Sequence, residues 1–249
     1  MDRNNFNSEV SANGDLPTYS LRVSTRAKRM HLKINHWGKV EVVVPRNVSL
    51  SHVAPFVRQH RKWVEKTLAQ MLAMRGEPPS ADPLPDRVQL LALGEDWKIV
   101  YRHGATASRY HATDHGGIHN LCVESEDAAV AHMPLQSWVQ DYARQRLLPW
   151  LRQVSEEYCL PYSRASVRAQ KTRWGSCSAR GHINLNRHLL FLPPHLVRYI
   201  MIHELCHTVH LNHSRRYWAL VGRFAPDFQA YETELRQAAR HIPLWACPD

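Results

Sequence analysis

The chain of 249 residues has no apolar run approaching the roughly 20 residues needed to cross a bilayer, which excludes a membrane-spanning helix and leaves no membrane partner to expect. Its N-terminal stretch, Met1 to Asp15, lacks an apolar h-region and carries acids, which excludes a secretory signal. Residues 1–19 therefore read as a disordered polar lead-in. Cysteine is scarce: Cys122, Cys159, Cys177, Cys206 and Cys247 are odd in number, irregularly spaced and form no CxxC pair. That excludes a disulfide framework and a cysteine-rich zinc site, and reduced thiols in a cytoplasmic protein are the expectation. Internal repeats and low-complexity segments are absent from the pattern. Acid is in deficit, 22 Asp and Glu against 32 Lys and Arg, for a net charge of +10. Such a balance attracts nucleic acid, anionic membrane or acidic protein. The charge concentrates at 22–33, 58–66 and 164–173 rather than in one tail, as either a solvated basic surface or a nucleic-acid groove.

Apolar patterning organises the rest as an α+β protein. From Ser20 to Val44 the residues alternate as strands, with His36-Trp37-Gly38-Lys39 as a hairpin turn. Ser49 or Ser51 offers an N-cap for a helix reaching about Met74, with Phe56, Val57, Trp63, Val64 and Leu68 as its apolar stripe. Residues 75–86 hold four prolines and a glycine and read as a linker. Short strands are expected at 88–93, 97–101 and 118–123, and a helix from Leu135 to about Tyr158 with a possible bend at Pro149. A second hairpin pairs 172–177 with 182–186 around a turn at 178–181. Pro193-Pro194 opens a helix to about His210, and a last helix runs from 226 to about 240. The expected division is a β-rich region with one helix over 20–130, followed by a helical region with a small antiparallel sheet over 131–249.

One local pattern carries chemistry. His203-Glu204-Leu205-Cys206-His207 is an HExxH motif inside a predicted helix. Histidines four apart project from one helical face and suit a single zinc ion. Glu204, about 100° around the helix, can reach a metal-bound water without being a ligand and take its proton during hydrolysis. With 17 His and 12 Glu, shuffled sequence would give the motif roughly 0.05 times per chain. His213, ten residues after the first histidine, extends the pattern to HExxHx5H and lowers that expectation to roughly 0.004. Zinc also needs a third protein ligand, leaving one position for water. His210 would share the helical face but stand about 10 Å along the axis from His203, too far for one ion. A turn near Leu211-Asn212 would bring back His213 instead, leaving His210 as a surface or supporting residue.

Arg173-Trp174-Gly175-Ser176-Cys177, Ile183-Asn184-Leu185-Asn186, the Leu-Pro-Pro before the helix, the 199–207 stretch, Asn212 to Trp218, and upstream Ser24 to Ile34 with the 40–45 strand form a recognisable set. Together they resemble the YgjP-like metallopeptidase family, which is related to the SprT and WLM zinc proteases. The resemblance implies a zincin-type, minigluzincin-like catalytic half, with zinc on His203, His207 and His213 and Glu204 as base. Tyr217 stands where the family usually has Phe, and the polar lead-in is extra.

Neighbouring residues each admit two roles. Trp174, Gly175 and Ser176 form either an edge that pairs with an extended peptide or a structural hairpin packing Trp174 on the helix. Cys177 and Cys206 are thiols near the motif, or small buried hydrophobes. Asn212 and Ser214 orient His213 or cap the next helix. Tyr217 donates to an oxyanion or fills the core; Trp218 and Phe224 read as core. The functional expectation is a zinc-dependent metallopeptidase acting on a peptide or protein substrate. The alternatives are a DNA-associated SprT-like protease and a non-catalytic, basic, zinc-containing module for nucleic acid or a protein partner. No particular oligomeric state is encoded in a recognisable pattern.

Overall fold

The computed structural model describes residues 8–10, 18–25, 27–34, 40–75, 84–104, 107–127, 131–170 and 173–247. Among these, the protein is mixed α+β, with six α-helices and three small mixed sheets. No described helix is long and apolar enough to cross a membrane. The chain divides into two compact units, Met1–Ser80 and Ala81–Asp249.

In the first unit, β1 (Ser8–Val10), β2 (Tyr19–Ser24), β3 (His31–Ile34) and β4 (Val40–Pro45) lie in the order β1-β2-β4-β3. Part of the lead-in expected to be disordered is thus a strand, because Ser8–Val10 pairs antiparallel with Tyr19–Leu21. The β3–β4 pair is antiparallel with Ile34 opposite Val40, while the anticipated turn at 36–39 lies outside the described residues. Alternation along β4 places Val40, Val42 and Val44 against Val53, Val57 and Val64. Those three come from two helices, α1 (Val53–Gln59) and α2 (Arg61–Arg75), where one had been expected. The break is at His60, whose ring binds the Phe56 carbonyl at 2.9 Å. Ser49 does cap this run, through a single 3-10 turn at Leu50–His52. Most of the 75–86 linker lies outside the described residues.

The second unit opens with β5 (Arg87–Leu90), β6 (Glu95–His103), β7 (Arg109–His115) and β8 (Ile118–Ser125), in the order β5-β6-β8-β7. Antiparallel, parallel and antiparallel pairings follow one another here as in the first sheet. This shared topology is invisible in the sequence, because many side-chain sets satisfy the same alternation. The edge strand β7 was not anticipated; its RYHATDH sequence has no aliphatic alternation.

These strands had been expected to belong with the N-terminal region. They belong instead with the helix that follows, α3 (His132–Tyr158). Trp97 of β6 packs against Trp138 and Tyr142 of α3. The buried Glu95 accepts hydrogen bonds from Trp97 Nε1, Tyr142 Oη and Arg146 at 2.7–3.0 Å. A buried carboxylate with three donors ties sheet to helix in a way that alternation alone cannot reveal. The helix continues through Pro149 to Tyr158.

The third sheet joins β10 (Gly175–Cys177), β11 (His182–Asn186) and β9 (Arg164–Arg168). β10 and β11 form the expected hairpin, with Gly181 at φ 70° in the turn. β9 then runs parallel to β11, so the sheet is mixed rather than antiparallel. Three helices complete the unit: α4 (Pro194–Cys206), α5 (Arg215–Phe224) and α6 (Phe228–Leu235). The helix expected over 226–240 stops at Leu235 and gives way to a 3-10 turn at Ala238–His241.

Candidate metal centre and active site

α4 starts on Pro194 and buries Leu196, Val197, Ile200, Met201 and Leu205. It ends three to four residues before the expected His210. Thr208, Val209 and His210 turn their amides back to the carbonyls of Leu205 and Cys206, and the Thr208 hydroxyl adds a 2.8 Å bond to the Leu205 carbonyl. His207 is therefore the C-cap, and the chain reverses immediately after it. The reversal returns His213 to the helix end, where Ser214 caps α5 by accepting from the Tyr217 amide.

Potential ligand atoms of His203, His207 and His213 all lie within 4.8 Å of one another. His203 Nε2 and His213 Nε2 stand 3.3 Å apart. Two nitrogens each 2.0–2.1 Å from a tetrahedral zinc would be about 3.3–3.4 Å apart. The outward nitrogens are engaged elsewhere. His207 Nδ1 is 3.0 Å from the His210 carbonyl, which selects the tautomer that leaves Nε2 a free lone pair. His203 Nδ1 faces Glu232 Oε1 at 3.8 Å. Burial pushes the His203 pKa down to about 3, with His207 and His213 adding to the effect; burial likewise lowers that of His207. Neutral imidazoles, gathered at the negative end of a helix, are suited to a cation.

Glu204 is 5% exposed, and burial pushes its carboxyl up to about 8 against the opposing charge of Arg173. Its Oε2 is buried with no hydrogen-bond partner. The other side of the carboxylate lies over Gly175: a Cβ there would sit 2.6 Å from Glu204 Oε1. Gly175 is thus the close approach that seats Glu204 beneath β10. Asn186 holds the segment leading to it. Its Nδ2 donates to the carbonyls of Gln170 and Arg173 at 2.8 and 2.7 Å, and its amide bonds the Trp174 carbonyl.

An orphaned buried carboxylate oxygen, on the residue that follows the first of three clustered histidines and lines one cleft with it, fits a site built for a dication and a water molecule. A cleft of about 290 Å³ leads to it, lined by Trp174, Gly175, Tyr199, Ile200, Leu235 and Arg236 together with His203, Glu204 and Glu232.

The remaining expected site residues take distinct places. Trp174 and Gly175 line the cleft, while the Ser176 hydroxyl turns to Gln170 and Asn184 within the sheet. Asn212 is exposed, and its carbonyl accepts from the Ser214 amide. Tyr217 is fully buried, stacks on His207 at 4.4 Å and donates its hydroxyl to the His203 carbonyl at 3.1 Å. That bond commits the hydroxyl to tying α5 to α4. Trp218 is half-buried beside His213 and stacks on Phe228, and Phe224 is half-buried against Tyr158. Cys206 is buried, and the Cys177 thiol turns to the Ser178 carbonyl.

Two residues of this centre escaped the sequence reading. Glu232 of α6 accepts a 2.6 Å hydrogen bond from Tyr199 Oη, and a second tie, His195 to Glu234 at 2.8 Å, fastens α6 to α4. Tyr199 was legible, since it precedes His203 by one helical turn. Glu232, 29 residues beyond His203, left no local signal.

The three clustered histidines form a candidate metal site, and a model of one metallopeptidase family matches most of the chain. Residues 28–238 match the YgjP-like metallopeptidase domain, and the chain belongs to that family. No curated protein matches the chain.

Proposed function

We propose that this protein is a zinc metallopeptidase with a zincin-type catalytic half, hydrolysing peptide bonds at its HExxHx5H site. The observation that carries the reading is Glu204 Oε2, buried and unpartnered on a residue that lines the cleft together with His203, the first of the three clustered histidines. A structural zinc site normally fills all four positions with protein ligands and has no use for such a carboxylate.

His203, His207 and His213 would hold the ion. Bound there, zinc acts as a Lewis acid, acidifying water and polarising a substrate carbonyl. A dication beside Glu204 favours its ionised form, and the dry setting makes that carboxylate a strong base. Glu204 Oε2 then takes a proton from water in the cleft and returns it to the leaving amine, as one group serving as base and then acid. Glu232, held by Tyr199, orients His203 through the imidazole nitrogen that zinc does not need.

Substrate placement falls to β10. It pairs with β11 along one side, and its other side is a sheet edge, with Trp174 and Gly175 opening on the cleft. An extended peptide added to that edge would lie across the site.

The test is cleavage of an unfolded protein by the zinc-loaded chain with Glu204→Gln in parallel and metal content measured in both. Cleavage by the wild type and its loss in a variant that keeps its zinc is the expected result. Equal cleavage by the two proteins, or hydrolysis insensitive to chelation, would refute the reading.

A further inference from the structure

Positive charge is concentrated at one end of the chain. Residues 1–80 carry 13 Lys and Arg against 6 Asp and Glu, a net +7 of the total +10. Some of it is neutralised locally. Arg22 pairs with Glu41 at 3.0 Å, and Arg61 with Glu65 at 2.6 Å.

The outer face of the α1–α2 run is not neutralised. Helical hydrogen bonding continues across His60, whose amide donates to Phe56 and whose carbonyl accepts from Val64. At about 100° per residue, Val53, Val57, Val64 and Leu68 share the face turned to the core. Arg58, Lys62 and Lys66, four residues apart, fall on the opposite face. All three are exposed, and none makes an ion pair with a described residue. The rest of that face is Pro55, Gln59, Ala69 and Gln70, and the acid at its border, Glu65, is taken up by Arg61. On its flank stands Trp63, 48% exposed.

A single exposed apolar side chain is ordinary. An exposed indole beside a row of cations with no ion pair among the described residues is a more specific arrangement, since cations track a phosphate backbone while an aromatic face stacks on a base. We infer that the outer face of α1–α2 binds single-stranded nucleic acid, with Arg58, Lys62 and Lys66 on phosphates and Trp63 stacked on an unpaired base. Duplex grooves would leave Trp63 without a partner, because paired bases within the helix keep their faces inside the stack. An anionic bilayer fits less well, because the apolar side of this helical run is already spent on the core and nothing remains to insert.

The experiment uses the full chain and fluorescence anisotropy with three probes: a labelled 20-nucleotide oligo-dT, a 20-base-pair duplex, and vesicles containing phosphatidylserine. Proteins are the wild type, Lys62→Glu/Lys66→Glu and Trp63→Ala, titrated between 50 and 300 mM salt. Each phosphate contact on a single strand contributes about 0.7 to the salt slope, or roughly fourfold in affinity at 0.15 M. The double variant is therefore expected to bind oligo-dT at least about tenfold more weakly, with a slope shallower by about 1.4. Trp63→Ala is expected to lose about fivefold or more with its slope unchanged. Peptide hydrolysis by both variants in the absence of nucleic acid stays at the wild-type level, which separates this surface from the histidine site. Three results would overturn the proposal: no oligo-dT binding by the wild type at micromolar concentration, undiminished binding by both variants, or tighter binding to duplex or vesicles than to oligo-dT.

Discussion

Replacing Gly175 by alanine tests how the base is seated. The added methyl would lie 2.6 Å from Glu204 Oε1, 2.7 Å from Cγ and 2.9 Å from Cδ, where ordinary contact begins near 3.4 Å. Relief requires Glu204 to retreat by about 0.8 Å or β10 to lift by as much. Glu204 is 5% exposed on a helix whose apolar face is buried, so it has little room to yield. Overpacking of this kind costs about 1–3 kcal/mol in stability. A shift approaching 1 Å in a catalytic group lowers the rate by about a hundredfold. The histidines do not rest on Gly175, so zinc should remain bound at one equivalent. The assay is kcat/KM on an unfolded protein together with bound zinc and urea unfolding of the same preparation. An expected Gly175→Ala protein is folded, zinc-loaded and about a hundredfold slower. Activity within threefold of wild type would show that Glu204 is not held by this contact. Loss of zinc would place the defect in the ligands instead.

Three further expectations follow from the same geometry. Glu232→Gln should weaken zinc affinity by about 10–100-fold with the fold intact, as removal of a carboxylate behind a ligating histidine does; competition with a chromophoric chelator reads it, and an unchanged affinity would leave Glu232 without a positioning role. His213→Ala should lose zinc more severely than that, while His210→Ala should keep it, because His210 acts on His207 through its backbone carbonyl and not its ring. The third concerns the metal-free protein. The Glu204 pKa is raised from 4.5 to about 8, so its contribution to stability is full below pH 4.5 and is lost as pH rises through 8, an effect on the order of 5 kcal/mol. His203 works in the opposite sense, held near 3, so its contribution is lost as pH falls below 6.5. In metal-free Glu204→Gln the first of these disappears and the second stays. The variant should therefore gain stability relative to wild type between pH 5 and pH 8 in urea titrations, and a constant difference across that range would contradict the burial argument.

The sequence by itself determined the clustering of the three histidines and much of the strand and helix pattern. Spacing was enough for His203, Glu204 and His207, because residues on one helix are placed by a fixed rotation and rise. It reached His213 too, since the axial distance argues against His210 on any helix. The hairpin of Gly175–Cys177 with His182–Asn186 was equally local. Tertiary structure alone decided the rest. Glu232 reaches His203 because α6 packs on α4, and Gly175 seats Glu204 because Asn186 gathers the carbonyls that position β10. The parallel partner β9, the edge strand β7 and the assignment of the second sheet to the unit bearing the site are likewise long-range. Each depends on pairings between segments far apart in the chain, whose energy comes from buried contacts and shared hydrogen bonds. Such pairings impose no period on the residues that make them, so no local pattern announces them.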